Sequence, residues 1–245
     1  MNDDLKLSRQ ATEARKRLGC DSEGPIDLFG AVRSNPDITL VFYPFKDDIG
    51  GLCIPKLDLI AINSKATSGR QHFSLGHELY HYFYGGDSSS IGFRDLSDAS
   101  GEEKEANAFA SLLLMPDYSF AELVNRLTDF PNRAVRLQDV LAIEQHFRVS
   151  REAVLTRLCQ GGYLEKAQAE PFKKDIVKNA KKYGYPTDLY FPMEKREGAY
   201  GKYLKLALEL KELGLISEGK YEEYLLDGYR EDIVFDENSP EEICD

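Results

Sequence analysis

Residues 70–85 read Arg70-Gln-His-Phe-Ser-Leu-Gly-His-Glu-Leu-Tyr-His-Tyr-Phe-Tyr-Gly85. Within them His77, Glu78 and His81 stand in the order H-E-x-x-H. Residues four apart on an α-helix share a face, so a helical segment lets both imidazoles reach one ion. Glu78, next to His77, can then reach a metal-bound water without being a ligand itself. The local signals favour that helix. Thr67 and Ser68 can cap its start, Phe73, His77, Tyr80 and Tyr84 line one side, and Gly85-Gly86 is a stop.

Upstream, Leu5, Leu7, Ala11, Ala14 and Leu18 among charged residues predict an amphipathic helix over residues 3–19, and Ser22 to Ser34 predicts a second. Three β-rich runs follow: Ile38 to Tyr43, Gly50 to Ile54, and Leu57 to Ile62. Turns are expected at Asp47-Asp48 and Pro55-Lys56, giving a small antiparallel sheet that feeds into the His77 helix. Asp87 to Ser100, rich in serine and aspartate and without periodicity, reads as a loop.

Glu102 to Met115 reads as a helix ended by Pro116, with Ala106, Phe109, Ala110, Leu113 and Leu114 on its buried face. Small residues at 106, 108 and 110 let another helix come close. A catalytic zinc takes three protein ligands and leaves one position open, so His77 and His81 need a third. Glu103 is the strongest offer, because it points from a buried stripe where an unpaired carboxylate is costly. Glu102 is the runner-up, and Glu105 falls on the solvated side. Carboxylates in a first helical turn also favour its positive end, which explains the cluster but not Glu103's inward direction.

Helices are expected over Ser119 to Leu127, Leu137 to Phe147, and from Ser150 onward. The last two resemble a helix-turn-helix, with Arg148, Arg151 and Arg157 available for DNA, although such pairs are common packing units. Beyond Gly161 the expectations are a basic helix over Pro171 to Lys182, an irregular Tyr183 to Arg196, and helices at Lys202 to Glu212 and after Ser217. With 31 basic against 42 acidic residues, the net charge of −11 argues against a general nucleic-acid binder. The N-terminus shows no signal peptide and no run is apolar enough for a membrane span. Cys20, Cys53, Cys159 and Cys244 are far apart and form no C-x-x-C pair, which suits free thiols in a reducing cytoplasm.

These segments resemble the ImmA/IrrE-type metallopeptidase family, a zincin-like group of the gluzincin kind. The resemblance rests on Ile60 to Asn63, Phe73 to His81, Glu103-Lys-Glu-Ala-Asn-Ala-Phe-Ala110, Leu113-Leu-Met-Pro116, and Phe147-Arg-Val-Ser150 with the helix after it. It implies Zn2+ held by His77, His81 and Glu103, with Glu78 as the catalytic base. It also implies a bacterial or mobile-element setting in which members act on a helix-turn-helix transcriptional repressor. Two departures stand out: family members usually have Gly where this chain has Tyr80, and Arg is common where it has His72.

The fold expected is α+β, a zincin-like metallopeptidase with a small sheet packed on the metal-binding helices and a helical C-terminal part. Residues 1–165 form the metallopeptidase domain, 166–235 a helical extension packed on it, and 236–245 an acidic tail. The function expected is a zinc-dependent endopeptidase in which Glu78 assists attack by zinc-bound water on a cytosolic protein. The alternative is a regulatory interaction protein that keeps the metal site and binds or inactivates a repressor without routine proteolysis. Tyr80, Tyr84, His72 and Arg70 are the candidates for shaping the cleft or stabilising the transition state. Leu59, Ile60, Ala61 and Ile62 are expected to offer an edge to an extended substrate, or else to form an interior strand.

Overall fold

A computed structural model describes residues 2–46, 49–86, 90–93, 101–129, 133–193 and 198–235. The expected turn at Asp47-Asp48 and the acidic tail lie outside them. Helix α1 (Asn2–Arg17) is followed by α2 (Leu28–Ser34), which is shorter than the sequence predicts. The difference has a local cause. Asp21 accepts from the backbone N–H groups of Glu23 and Gly24, and Arg15 binds the carbonyls of Asp21 and Gly24, so the chain turns here. Asp27 then caps α2 by accepting from Gly30 N.

Strands β1 (Thr39–Tyr43), β2 (Ile49–Ile54) and β3 (Leu59–Asn63) lead into α3 (Ser68–Tyr84), the helix of the H-E-x-x-H run. Strand β4 (Ser90–Phe93) comes next, then α4 (Gly101–Leu114). The expected loop over residues 87–100 therefore contains a strand. Four residues are too few for an alternation signal, and β4 exists because it pairs with β2.

The remaining helices are α5 (Asp117–Thr128), α6 (Leu137–Phe147), α7 (Arg151–Gln160), α8 (Lys166–Ala169) and α9 (Ile176–Lys182). The helix expected over Pro171 to Lys182 is broken, since Lys174 is extended and Asp175 has a φ of 51°. After β5 (Gly198–Gly201) come α10 (Lys202–Glu212), α11 (Glu218–Asp227) and α12 (Glu231–Val234).

The fold is α+β. The sheet runs β4-β2-β3-β1-β5 and is mixed, not antiparallel as expected: β1 lies parallel to β3, and every other pairing is antiparallel. β3 is interior, so Leu59, Ile60, Ala61 and Ile62 offer no free edge. Ile60, Ala61, Ile62 and Asn63 are all buried, as expected of a strand covered on both faces, whose apolar run does not alternate. β5 comes from beyond residue 165, so the C-terminal part is not purely helical. It completes the sheet edge against β1.

Helix α3 packs on β2, β3 and β4 with one side and on α4 with the other, and α1 covers α4. Leu75, Leu79, Phe109 and Leu113 join Ile60, Ile62, Leu40 and Phe42 in one core. The α3–α4 approach is close because position 76 has no side chain: a Cβ there would stand 3.3 Å from that of Ala110. Gln71 Nε2 donates to the carbonyls of Asn63 and Ser64, tying the start of α3 to the end of β3. Buried Arg15 donates from Nε to Leu113 O at 2.7 Å, anchoring α1 to α4.

Candidate metal centre

His77 and His81 lie one turn apart on α3, on the side facing α4, and Glu103 reaches them from the first turn of α4. His77 Nε2 is 3.3 Å from His81 Nε2. Glu103 Oε2 is 3.1 Å from His77 Nε2, and its Oε1 is 3.2 Å from His81 Nε2. A tetrahedral zinc with ligands at about 2.0–2.1 Å holds its donor atoms about 3.3 Å apart. The Nε2–Nε2 spacing matches that edge, and the Glu103 carboxylate brings one oxygen close to each nitrogen, so the donor set fits the ion. The imidazoles are buried, whereas the Glu103 side chain is 30% exposed, which leaves the site open on the α4 side.

Asn107, one turn after Glu103, sets the tautomer of His77. Its carbonyl oxygen lies 2.9 Å from His77 Nδ1 and can only accept, so Nδ1 carries the hydrogen and Nε2 keeps its lone pair. Glu102 Oε1 is 3.7 Å from His81 Nδ1, on the far side of that ring from the shared centre. It is therefore Glu103, not Glu102, that meets both Nε2 atoms.

Burial works to lower the His77 pKa, but the Glu103 hydrogen bond and the charges of Glu78 and Glu103 outweigh it and hold His77 above its ordinary value. Burial and the neighbouring His77 lower His81. The His77 hydrogen bond, against some desolvation, lowers Glu103. Glu78 is fully buried on α3, and its Oε2 accepts from Ser90 Oγ at 3.2 Å. Burial pushes its carboxyl up to about 7, against the pull of His77 and the Ser90 hydroxyl.

The other candidates point elsewhere. Tyr80 donates to Glu105 Oε2 at 2.6 Å and Tyr84 to Gln10 O at 3.0 Å. The Tyr80 ring packs on Phe109 and its hydroxyl reaches α4. His72 Nδ1 donates to Ser68 O, and its ring meets the edge of Phe29 at 4.6 Å. Arg70 is half exposed and faces Glu152 at 3.8 Å. The hydroxyls of Tyr80 and Tyr84, the His72 ring and the Arg70 guanidinium are thus engaged with groups other than His77, His81 and Glu103, while the Tyr80 ring meets the His81 ring edge-on at 5.6 Å.

The model of the IrrE N-terminal-like domain, a peptidase family, matches residues 34–159. The chain belongs to that family. The match takes in β1 to α7 and so includes His77, Glu78, His81 and Glu103. The radiation response metalloprotease IrrE of Deinococcus radiodurans is 35% identical over 109 residues, covering 41% of this chain and 32% of that protein. The chain thus spans about a third of that relative's length. Among solved structures, a Mycobacterium tuberculosis transcriptional regulator superposes with a TM-score of 0.44 at 20% identity, over 63% of this chain and 46% of its own. The family is one of metallopeptidases, which implies a metal ion, and among the described residues His77, His81 and Glu103 form a group that could hold one.

Asn107, Ser90 and the two glycines beside Glu78 escaped sequence reading. Asn107 alone left a trace, four residues after Glu103 and so on the same face of α4. Ser90 enters through β4, whose pairing no local pattern announces.

Proposed function

We propose that the protein is a zinc-dependent endopeptidase of the cytoplasm that cleaves a helix-turn-helix transcriptional repressor. One observation carries the chemistry: the Nε2 atoms of His77 and His81 and the Glu103 carboxylate converge within one ion's reach, with the Glu78 carboxyl beside them. When bound there, zinc supplies a Lewis acid for the scissile carbonyl and lowers the pKa of water. His77, His81 and Glu103 hold the ion, and Asn107 keeps Nε2 of His77 free to do so. Glu78 takes the proton of the attacking water and delivers it to the leaving amine. At the metal side of the sheet β4 is the terminal strand, so an extended segment of substrate pairs there, not on β3.

Family membership and the metalloprotease relative support the peptidase reading. The repressor as substrate rests on the family resemblance. Among the described residues no helix is long and apolar enough to cross a membrane. Arg151 and Arg157, which a DNA-binding reading needs, are paired with Glu144 and Asp117. A second reading, a regulatory partner that binds the repressor without routine cleavage, draws support from the complete burial of Glu78.

Incubation of the native protein and E78Q with repressors encoded nearby, followed by intact mass measurement, separates the two. One discrete cut, sensitive to EDTA and made only by the native protein, supports the endopeptidase. Tight binding by both forms with no cut, under zinc-replete and inducing conditions, supports the regulatory partner.

A further inference from the structure

Gly51 of β2 and Gly92 of β4 are direct cross-strand partners. Neither has a positive φ, so the backbone at these positions would accept any residue. Space, not conformation, is what demands glycine. A Cβ at position 92 would lie 2.5 Å from Glu78 Oε1, and one at position 51 would lie 2.8 Å from the same oxygen and 2.8 Å from Glu78 Cγ. The same point at position 92 is 3.5 Å from His77 Nε2, the nitrogen turned toward the metal. The two missing side chains thus leave one slot, and the Glu78 carboxyl fills it.

The orientation within the slot is specific. Oε2 accepts from Ser90 Oγ, and the Gly92 backbone N–H also favours the ionised carboxyl, while Oε1 is buried without a well-aligned donor among the described residues. The oxygen beside Gly92 and His77 is thus the less satisfied of the two. A buried carboxylate oxygen without a well-aligned donor costs stability, and such groups persist where the chemistry uses them.

We propose that Gly51 and Gly92 are positioning residues of the reaction, a facing pair kept without side chains to seat the catalytic carboxyl beside the metal ligands. The inference rests on the reading of Glu78 as the base. An alanine at position 92 meets the far end of a flexible side chain, so the carboxyl is driven from its seat while the strand stays paired. Gly51 closes the opposite wall, so the only retreat is out of the slot.

Two measurements on the full chain test this. The first is a thermal double-mutant cycle on metal-free native protein, G92A, E78A and G92A/E78A, with zinc titrations of each. The expected result is a fall of several degrees in Tm for G92A that disappears on the E78A background, with zinc affinity unchanged throughout. An equal fall in both backgrounds, or zinc lost from G92A, overturns the slot. G51A, run the same way, guards against a strand-pairing defect peculiar to β4.

The second measurement is hydrolysis of the repressor that the native protein cuts. G92A is expected to fall by about 10²-fold or more, as for loss of a general base, with G92A/E78Q no slower than E78Q. Native turnover by G92A overturns the proposal. Should the native protein cut no repressor, the endopeptidase reading fails by itself, and the thermal cycle still decides the slot.

Discussion

Asn107 Oδ1 stands 2.9 Å from His77 Nδ1, and Asn107 and Glu103 are one turn apart on α4. One helix therefore provides both a candidate metal ligand and the group that orients another candidate ligand on a different helix. The α3–α4 packing at Gly76 and Ala110 brings them into reach, so helix packing and metal chemistry are set by the same contact.

N107A is expected to weaken zinc binding by about 10–100-fold, the usual loss when a group orienting a metal-bound histidine is removed. N107D, which keeps the acceptor, should bind close to native affinity. Competition titration against a zinc chelator measures both. Equal affinity in N107A and the native protein would mean that the His77 tautomer is set by something else.

Metal removal should lower stability through linkage. At a free zinc concentration 100 times its Kd, the ion adds about 2.7 kcal/mol to the folded state. EDTA should therefore lower Tm by several degrees, and zinc should restore it. H77A and H81A should show no response to either, because each removes one of the three donors. Differential scanning calorimetry of the three proteins checks this.

Cys53 lies buried on β2, and burial, with the Glu78 charge as a second cause, raises its thiol above the ordinary range. A thiol attacks as its thiolate, so at pH 8 Cys53 should stay unmodified by iodoacetamide in the folded protein. Of the three described cysteines, half-buried Cys20 and Cys159 should react before Cys53. Peptide mass mapping reads the order, and early modification of Cys53 would show that β2 opens readily.

Arg151 and Glu144 form a buried ion pair between α7 and α6, which Tyr190 joins by donating to Glu144 Oε2 at 2.7 Å. Arg151 also donates to Phe172 O at 2.7 Å, so the pair ties residues beyond 165 to the metallopeptidase part. R151A leaves a buried carboxylate unpaired and should cost about 3–5 kcal/mol. Denaturant unfolding measures the loss. An unchanged midpoint would mean that this junction contributes little and leave the helix pair free for another use.

His77, His81 and the direction of Glu103 were legible in the sequence because helical periodicity is local: residues one turn apart share a face whatever the rest of the chain does. The boundaries of α3, α4, α6 and α10 follow from the same periodicity and from Gly and Pro punctuation. Tertiary structure alone decided that β3 is interior, that a strand lies within residues 87–100, and that β5 returns to the sheet. Strand pairing is made by backbone groups common to all residues, between segments that can lie far apart in sequence, so side-chain pattern records it poorly. The directions of Tyr80, Tyr84 and His72 were hidden for a related reason. Helix α3 is buried on nearly every side, so no polar face tells which side chains turn toward the ion and which toward α4, α1 or α2. Glu78 shows both limits together: its adjacency to His77 is written in the chain, while its seat between Gly51 and Gly92 exists only once β4 has paired with β2.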